Sequence, residues 1–353
     1  MSLPLLAITM GDPAGVGPEV IVKALADPRV GQGCRPVVLG HPQVLKQAIK
    51  LVGSSLAVAV VDALAGLSDQ QPPQGKIWCL PVGDDNLLEV PQGSVDPRTG
   101  QAAYEAIVCA TDAALADTIA GIVTAPISKS ALHAAGHTHY PGHTELLADR
   151  CGVDDFAMML YMPPEEVPPC PAGLGVVHVT LHTALREVFA QLSEQVIREK
   201  CGLAQRVMQE GFELPEPRVG VCALNPHAGE DGLFGDEEQT LIRPAVELAQ
   251  SDGINVDGPY PTDTLMGRAR DGEFDAVVAM YHDQGHIALK LLGMHRAVNI
   301  TLGLPIVRTS VAHGTAFDRA WQGTAESSGM VAAIQTAAKL ANSKAPRATP
   351  IDL

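Results

Sequence analysis

Apolar residues recur along the chain in short, β-branched runs, and longer stretches with helical spacing lie between them. The runs at 5–9, 37–39, 57–61, 119–124, 157–161, 176–180, 218–223, 275–280 and 298–301 predict strands. The stretches 101–117, 184–210, 236–251 and 326–342 predict helices, and the second is long enough to contain a break, expected near Gly202. Such alternation is the pattern of βα units around parallel sheets. Two segments read as irregular: 68–75 as a surface loop, and the proline-rich 163–175 as an excursion between neighbouring strands. With no linker dividing the chain, two lobes that share it discontinuously are expected.

Polar and glycine residues follow nearly every predicted strand at once. Gly11-Asp12-Pro13-Ala14-Gly15-Val16-Gly17-Pro18-Glu19 follows the first, and a helix over 18–26 is expected behind it with Pro18 in its first turn. This glycine loop is neither GxGxxG nor a Walker loop, since no GK[ST] follows. Ala125-Pro126-Ile127-Ser128-Lys129, Leu181-His182, Leu224-Asn225-Pro226-His227 and Tyr281-His282-Asp283-Gln284-Gly285-His286 follow later strands. Ligands of open parallel sheets bind beyond the carboxyl ends of the strands, so these clusters predict one site.

His182, His227 and His282 are the sharpest of these residues. Neutral imidazoles suit a divalent transition metal, and three of them leave positions open for substrate. Any one alone reads first as a strand-end histidine bonded to backbone; jointly, with Asp263 and Asp283 as nearby carboxylates, they favour a metal. His178, His286 and His313 are weaker candidates. Gly142-His143-Thr144-Glu145 reads either as a helix start with Thr144 as cap or as a close backbone approach to an anion. Lys290, Asn299 and Arg308 are either ordinary surface groups or an anion pocket for phosphate or carboxylate.

Composition narrows the setting. The chain has 353 residues, enough for about two domains. With 46% hydrophobic residues it can bury a large core. A net charge of −16 and 4% aromatics exclude general nucleic-acid or anionic-membrane binding. Seven cysteines without a CxxC pair read as reduced packing thiols of a cytoplasmic protein. Neither a signal peptide nor a membrane span is expected.

The ordered motifs GDPAGVGPE, GHTE, NPHAGE, YHDQGH, NITLGLPIVRTS and HGTAFD closely resemble the 4-hydroxythreonine-4-phosphate dehydrogenase family of vitamin B6 biosynthesis, over nearly the whole chain. The resemblance implies an α/β protein with the isocitrate/isopropylmalate dehydrogenase-like fold: two α/β/α lobes around a central cleft, in a homodimer with shared active sites. The first lobe is expected at 1–125 plus 300–353, and the second, carrying metal ligands and dimer contacts, at 126–299. Implied metal ligands are His182, His227 and His282, not all from one subunit. Implied substrate contacts are His143, Thr144, Lys290, Asn299 and Arg308. NAD or NADP is expected near Leu302, Gly303, His313 and Gly314, with one divalent ion (Zn, Mg or Co) per site.

The implied reaction is oxidation of a secondary alcohol β to a carboxylate, then loss of CO₂, taking 4-phosphooxy-L-threonine to 3-amino-2-oxopropyl phosphate. Lys290, Asp263 and Asp283 are the candidate acid and base groups. Ala312, Ala320-Trp321 and His286 depart from the family pattern. They admit paralogues acting on 4-phosphoerythronate, 4-phosphothreonate or a terephthalate-type dihydrodiol carboxylate. A catalytically silent ligand-binding relative is the reading of another class.

Overall fold

The computed structural model describes residues 3–343, which form two compact units. The first comprises 3–154 and Leu304–Asn342, the second Asp155–Gly303.

In chain order the first unit holds β1 (Leu5–Thr9), α1 (Gly17–Leu25), α2 (Pro28–Gly33), β2 (Arg35–Gly40), α3 (Pro42–Leu51), β3 (Ala57–Val60), β4 (Lys76–Pro81), α4 (Pro97–Leu115), β5 (Gly121–Thr124), α5 (Lys129–Ala134) and α6 (His143–Cys151). The second follows with β6 (Ala157–Met162), β7 (Leu174–His178), α7 (Leu185–Gln191), α8 (Glu194–Arg206), β8 (Val219–Cys222), α9 (Arg243–Ser251), β9 (Val256–Tyr260), α10 (Thr262–Arg270), β10 (Ala276–Ala279), α11 (His282–Gly293) and β11 (Val298–Leu302). The chain then returns to the first unit for β12 (Arg308–Val311) and α12 (Ser328–Asn342).

The first unit's strands run in the order β3-β4-β2-β1-β5-β12, every pair parallel. β1 is buried throughout, as a central strand covered by helices on a parallel sheet must be. The first crossover leaves β1 for β2 on one side, whereas the crossover through α4 lands β5 on the other. That reversal makes the carboxyl ends of β1 and β5 a topological switch point, where open α/β sheets bind ligands. α4 packs on β1, β2 and β5, and α12 on β12, β5 and β1.

The second unit runs β11-β6-β7-β10-β8-β9. β7, β10, β8 and β9 are parallel, but β6 is antiparallel to both neighbours. Segment 163–173, two residues shorter than the expected excursion because Leu174 and Gly175 already pair in β7, connects β6 to its antiparallel neighbour β7, so no crossover helix is needed.

Several expectations change. The break in 184–210 falls at Leu192-Ser193, not Gly202, because Ser193 Oγ accepts the Val196 N–H at 3.2 Å and caps α8, whereas Gly202 sits inside that helix. Residues 126–154, assigned to the second lobe from sequence, lie in the first unit, where α5 and α6 pack on α4. β4, β9 and β12 are additional strands. All seven cysteines are free thiols. Among the described residues no helix is long and apolar enough to cross a membrane.

Candidate active site

Four histidines gather at the carboxyl ends of β7 and β10. His178 closes β7, His182 follows four residues later, and His282 and His286 occupy the first turns of α11. The His182 and His282 ring centroids are 5.8 Å apart, and His282 stacks on His286 at 3.8 Å with 13° between planes. The latter pair meets because i and i+4 share a helix face. His286 Nδ1 lies 3.0 Å from His178 Nε2, and His178 Nδ1 lies 3.3 Å from the Met158 carbonyl. Burial pushes His178 down to about 4 and His286 to about 2, the latter helped by the neighbouring imidazoles, so both rings are neutral at pH 7. Asp283 Oδ1 lies 2.7 Å from His282 Nδ1 and fixes that ring's orientation.

His227 stands apart. It rides a turn in which His227, Ala228, Glu230 and Asp231 all take left-handed φ (56, 55, 43 and 55°). Side chains resist that conformation by about 1–2 kcal/mol each. The turn is anchored by buried Glu238, whose Oε1 accepts the Leu224 and Asn225 N–H groups at 2.8 and 2.7 Å and whose Oε2 accepts from Asn225 Nδ2 at 3.0 Å. His227 is 74% exposed, with Glu230 Oε2 3.6 Å from Nδ1 and the Phe234 ring at 6.1 Å. Among the described residues no group of three His, Cys, Asp or Glu side chains is disposed to hold a metal ion. His182 and His282 are neighbours, and among the described residues they form no group of three with His227.

Lys290 is half-buried two turns along α11, and its charge reaches His286. Asn299, half-buried on β11, is registered against Leu160 of β6. Asp263 is exposed in the first turn of α10, where Oδ1 accepts the Thr264 N–H at 2.9 Å. Gln284 ties the strand ends together. Its Oε1 accepts the Met280 N–H at 2.7 Å, and its Nε2 donates to the Ala223 carbonyl at 2.7 Å and to Thr262 Oγ1 at 3.0 Å.

The first unit holds a second group at the carboxyl end of β5. Arg308 is 3% exposed and donates from Nη2 to Thr124 Oγ1 at 2.7 Å. Burial pushes its guanidinium down to about 10, opposed by the Glu145 carboxylate. His143 is held well below the usual imidazole range by burial, then by the charges of Arg308 and Lys129. Its Nε2 is buried without a hydrogen-bond partner. α6 begins at His143 with Gly142 as N-cap and no side-chain cap, so Thr144 is inside the helix rather than its cap.

Of the expected cofactor contacts, Leu302 is 5% exposed at the end of β11. Gly303 has a φ of +86°, and a Cβ there would strike the Asp155 carbonyl. His313 and Gly314 are exposed in the first unit, with His313 Nδ1 3.0 Å from the Gly314 carbonyl. That loop is pinned to the first glycine loop by Val16 N–H donating to the Thr315 carbonyl and Trp321 Nε1 to the Pro13 carbonyl, both at 3.0 Å. The motif reading missed Glu238 and Gln284, and it left His178 and His286 without a direction. A buried carboxylate or amide serving backbone groups leaves no mark in spacing.

The model of the family described as pyridoxal phosphate biosynthetic protein PdxA matches residues 32–337. A 4-hydroxythreonine-4-phosphate dehydrogenase of Desulforapulum autotrophicum is 45% identical over 95% of this chain and 95% of its own. A D-threonate 4-phosphate dehydrogenase of Cupriavidus necator is 44% identical over 97% of this chain and 99% of its own. The crystal structure of the 4-hydroxythreonine-4-phosphate dehydrogenase from Klebsiella pneumoniae superposes with a TM-score of 0.83 at 41% identity, covering 96% and 100% of the two chains.

Proposed function

The chain belongs to the family of the pyridoxal phosphate biosynthetic protein PdxA, and on that premise we propose that it is an NAD-dependent, divalent-metal-dependent dehydrogenase of a phosphorylated β-hydroxy acid. The substrate on this reading is 4-phosphooxy-L-threonine, oxidised at its secondary alcohol and decarboxylated to 3-amino-2-oxopropyl phosphate. The observation that carries the reading is the pairing of His182 and His282 at the strand ends, in a chain so similar to dehydrogenases of that name.

A divalent ion held by His182 and His282, with His227 as third ligand, would act as a Lewis acid on the substrate hydroxyl. The protein's own groups do the rest. Asp283 holds His282 in one orientation. Buried Arg308, with Asn299, His143 and Thr144, grips the substrate's anionic ends, and that binding energy orients the reacting carbon. Lys290 is the proton donor to the carbon that loses CO₂. Leu302, Gly303, His313 and Gly314 are the residues that would contact the nicotinamide cofactor, which would take up the hydride. Because His227 stands apart within one chain, the third ligand comes from a second copy in a homodimer. The enzyme works in the cytoplasm, where its seven free thiols stay reduced.

D-threonate 4-phosphate is the second reading, favoured by the near-equal identity of the Cupriavidus necator relative. A panel of 4-phosphooxy-L-threonine, D-threonate 4-phosphate, 4-phosphoerythronate and a terephthalate dihydrodiol, each with NAD and with NADP, decides. NADH formation should favour 4-phosphooxy-L-threonine by about tenfold or more in kcat/KM. A reversed ratio establishes the second reading, and no turnover of any phosphorylated acid overturns both.

A further inference from the structure

Lys129 is exposed at the start of α5, on the segment that leaves the carboxyl end of β5 at the switch point. Ser128 Oγ accepts the Ala131 N–H at 3.1 Å, which fixes the turn and the direction in which Lys129 departs. Its stem crosses to the next helix start: a Cβ placed on Gly142 would lie 3.5 Å from Lys129 Cε. The ammonium thereby arrives beside His143, the residue after Gly142.

Arg308 and Lys129 thus bring positive charge to one imidazole from two different elements, and both fields act on it. The buried, unpartnered Nε2 of His143 is costly as it stands unless something completes it. Glu145, the carboxylate in this neighbourhood, acts on Arg308, and its Oε2 would lie 3.6 Å from the same added Cβ, so an incoming dianion displaces it from the two cations. The Lys129 ammonium takes part in no hydrogen bond or ion pair among the described residues. A site with a buried guanidinium, the ammonium of an exposed lysine, a neutral imidazole and the uncapped start of α6 is built for an anion of more than one charge.

We propose that Lys129 is a substrate-binding residue that joins Arg308 and His143 in seating the phosphomonoester end of the substrate. The sequence places it in a strand-end cluster but gives it no role. This rests on the reading of the chain as an enzyme for a phosphorylated acid, but the seat itself is testable without turnover. Arg308, being buried, fixes the seat, and Lys129 closes over the dianion from the solvent side.

The test compares wild type with Lys129→Gln and Lys129→Arg by calorimetric titration of inorganic phosphate, methyl phosphate and acetate, alongside kinetics with 4-phosphooxy-L-threonine and a melting scan. Lys129→Gln should weaken phosphate and methyl phosphate about tenfold, leave acetate and the melting point unchanged, and raise KM about tenfold with kcat within about twofold. Lys129→Arg should recover most of the loss. Unchanged phosphate binding in Lys129→Gln overturns the proposal. So does loss of acetate rather than phosphate, or a fall in kcat at constant KM. If wild type binds phosphate, Lys129→Gln does not, and neither oxidises the substrate, the seat stands and the substrate reading fails.

Discussion

Asp12 is fully buried in the glycine loop behind β1, and burial, with some help from Asp96, raises its carboxyl to about 6. The Ala14 N–H donates to Oδ1 at 2.9 Å and Thr99 Oγ1 faces Oδ2 at 3.2 Å, which only partly offsets the loss of water. A carboxyl that binds its proton more tightly folded than unfolded adds stability at low pH. That stability disappears as pH rises through the window from about 4 to about 6. The shift corresponds to about 3 kcal/mol at most. Asp12→Asn keeps the shape, and its amide can donate to Thr99 Oγ1 while that hydroxyl donates to the Asp96 carbonyl. The stability of wild type minus that of Asp12→Asn, from urea midpoints at equal m, should therefore fall by about 2–3 kcal/mol between pH 4 and pH 7. A difference that stays flat with pH would show that Asp12 ionises as freely as it does in water.

At the scale of elements, α4 and α5 approach so closely that a Cβ on Gly100 would fall on the Ala131 carbonyl carbon and oxygen. Helix propensity alone favours Gly→Ala by about 1 kcal/mol. The obstacle is backbone, which no rotamer change relieves, so Gly100→Ala should lose about 2 kcal/mol or more. Gly31 in α2 has nothing within 4 Å, and Gly31→Ala should hold or gain up to about 1 kcal/mol. Denaturation of the two variants should rank them in that order, and a stable Gly100→Ala would mean the helices can separate.

The same contrast explains what was legible from sequence. β1, β5 and β10 are buried apolar runs legible in the sequence, and β7 is too, although it begins and ends two residues earlier than the expected 176–180. β12 was not, because Arg308, Thr309 and Ser310 look polar; they enter the sheet because Arg308 bonds Thr124 and Thr309 Oγ1 donates to the Ala333 carbonyl at 2.9 Å. β9 carries Gly258 and Pro259 at an edge, which breaks the strand pattern. The run Ile77–Leu80 in β4 is as apolar as any that was read, and its absence from the expectation has no physical reason. In the site, spacing located the histidines at strand ends but not the direction of a ring. It therefore could not pair His178 with His286, which depends on the register of β7 against β10 and on close approach at Gly285.

For the whole molecule, the arrangement of His182, His227 and His282 has a consequence for how copies of the chain work together. The first and third are neighbours, while the strained turn holds His227 exposed and turned toward Glu230 and Phe234. If the third ligand is supplied by a second copy, every site combines His182 and His282 of one chain with His227 of the other. His227→Ala and His282→Ala should each be inactive as homodimers. When the two variants are unfolded together and refolded at equal amounts, about half the dimers are mixed. In each mixed dimer one site carries both lesions and the other carries none. About a quarter of wild-type activity should therefore return, with a matching fraction of bound metal by elemental analysis. The pair His182→Ala and His282→Ala should recover nothing, because both lesions strike the ligands that one chain contributes to the same site. Recovery by neither pair would mean that the turn carrying His227 closes on its own chain when metal binds.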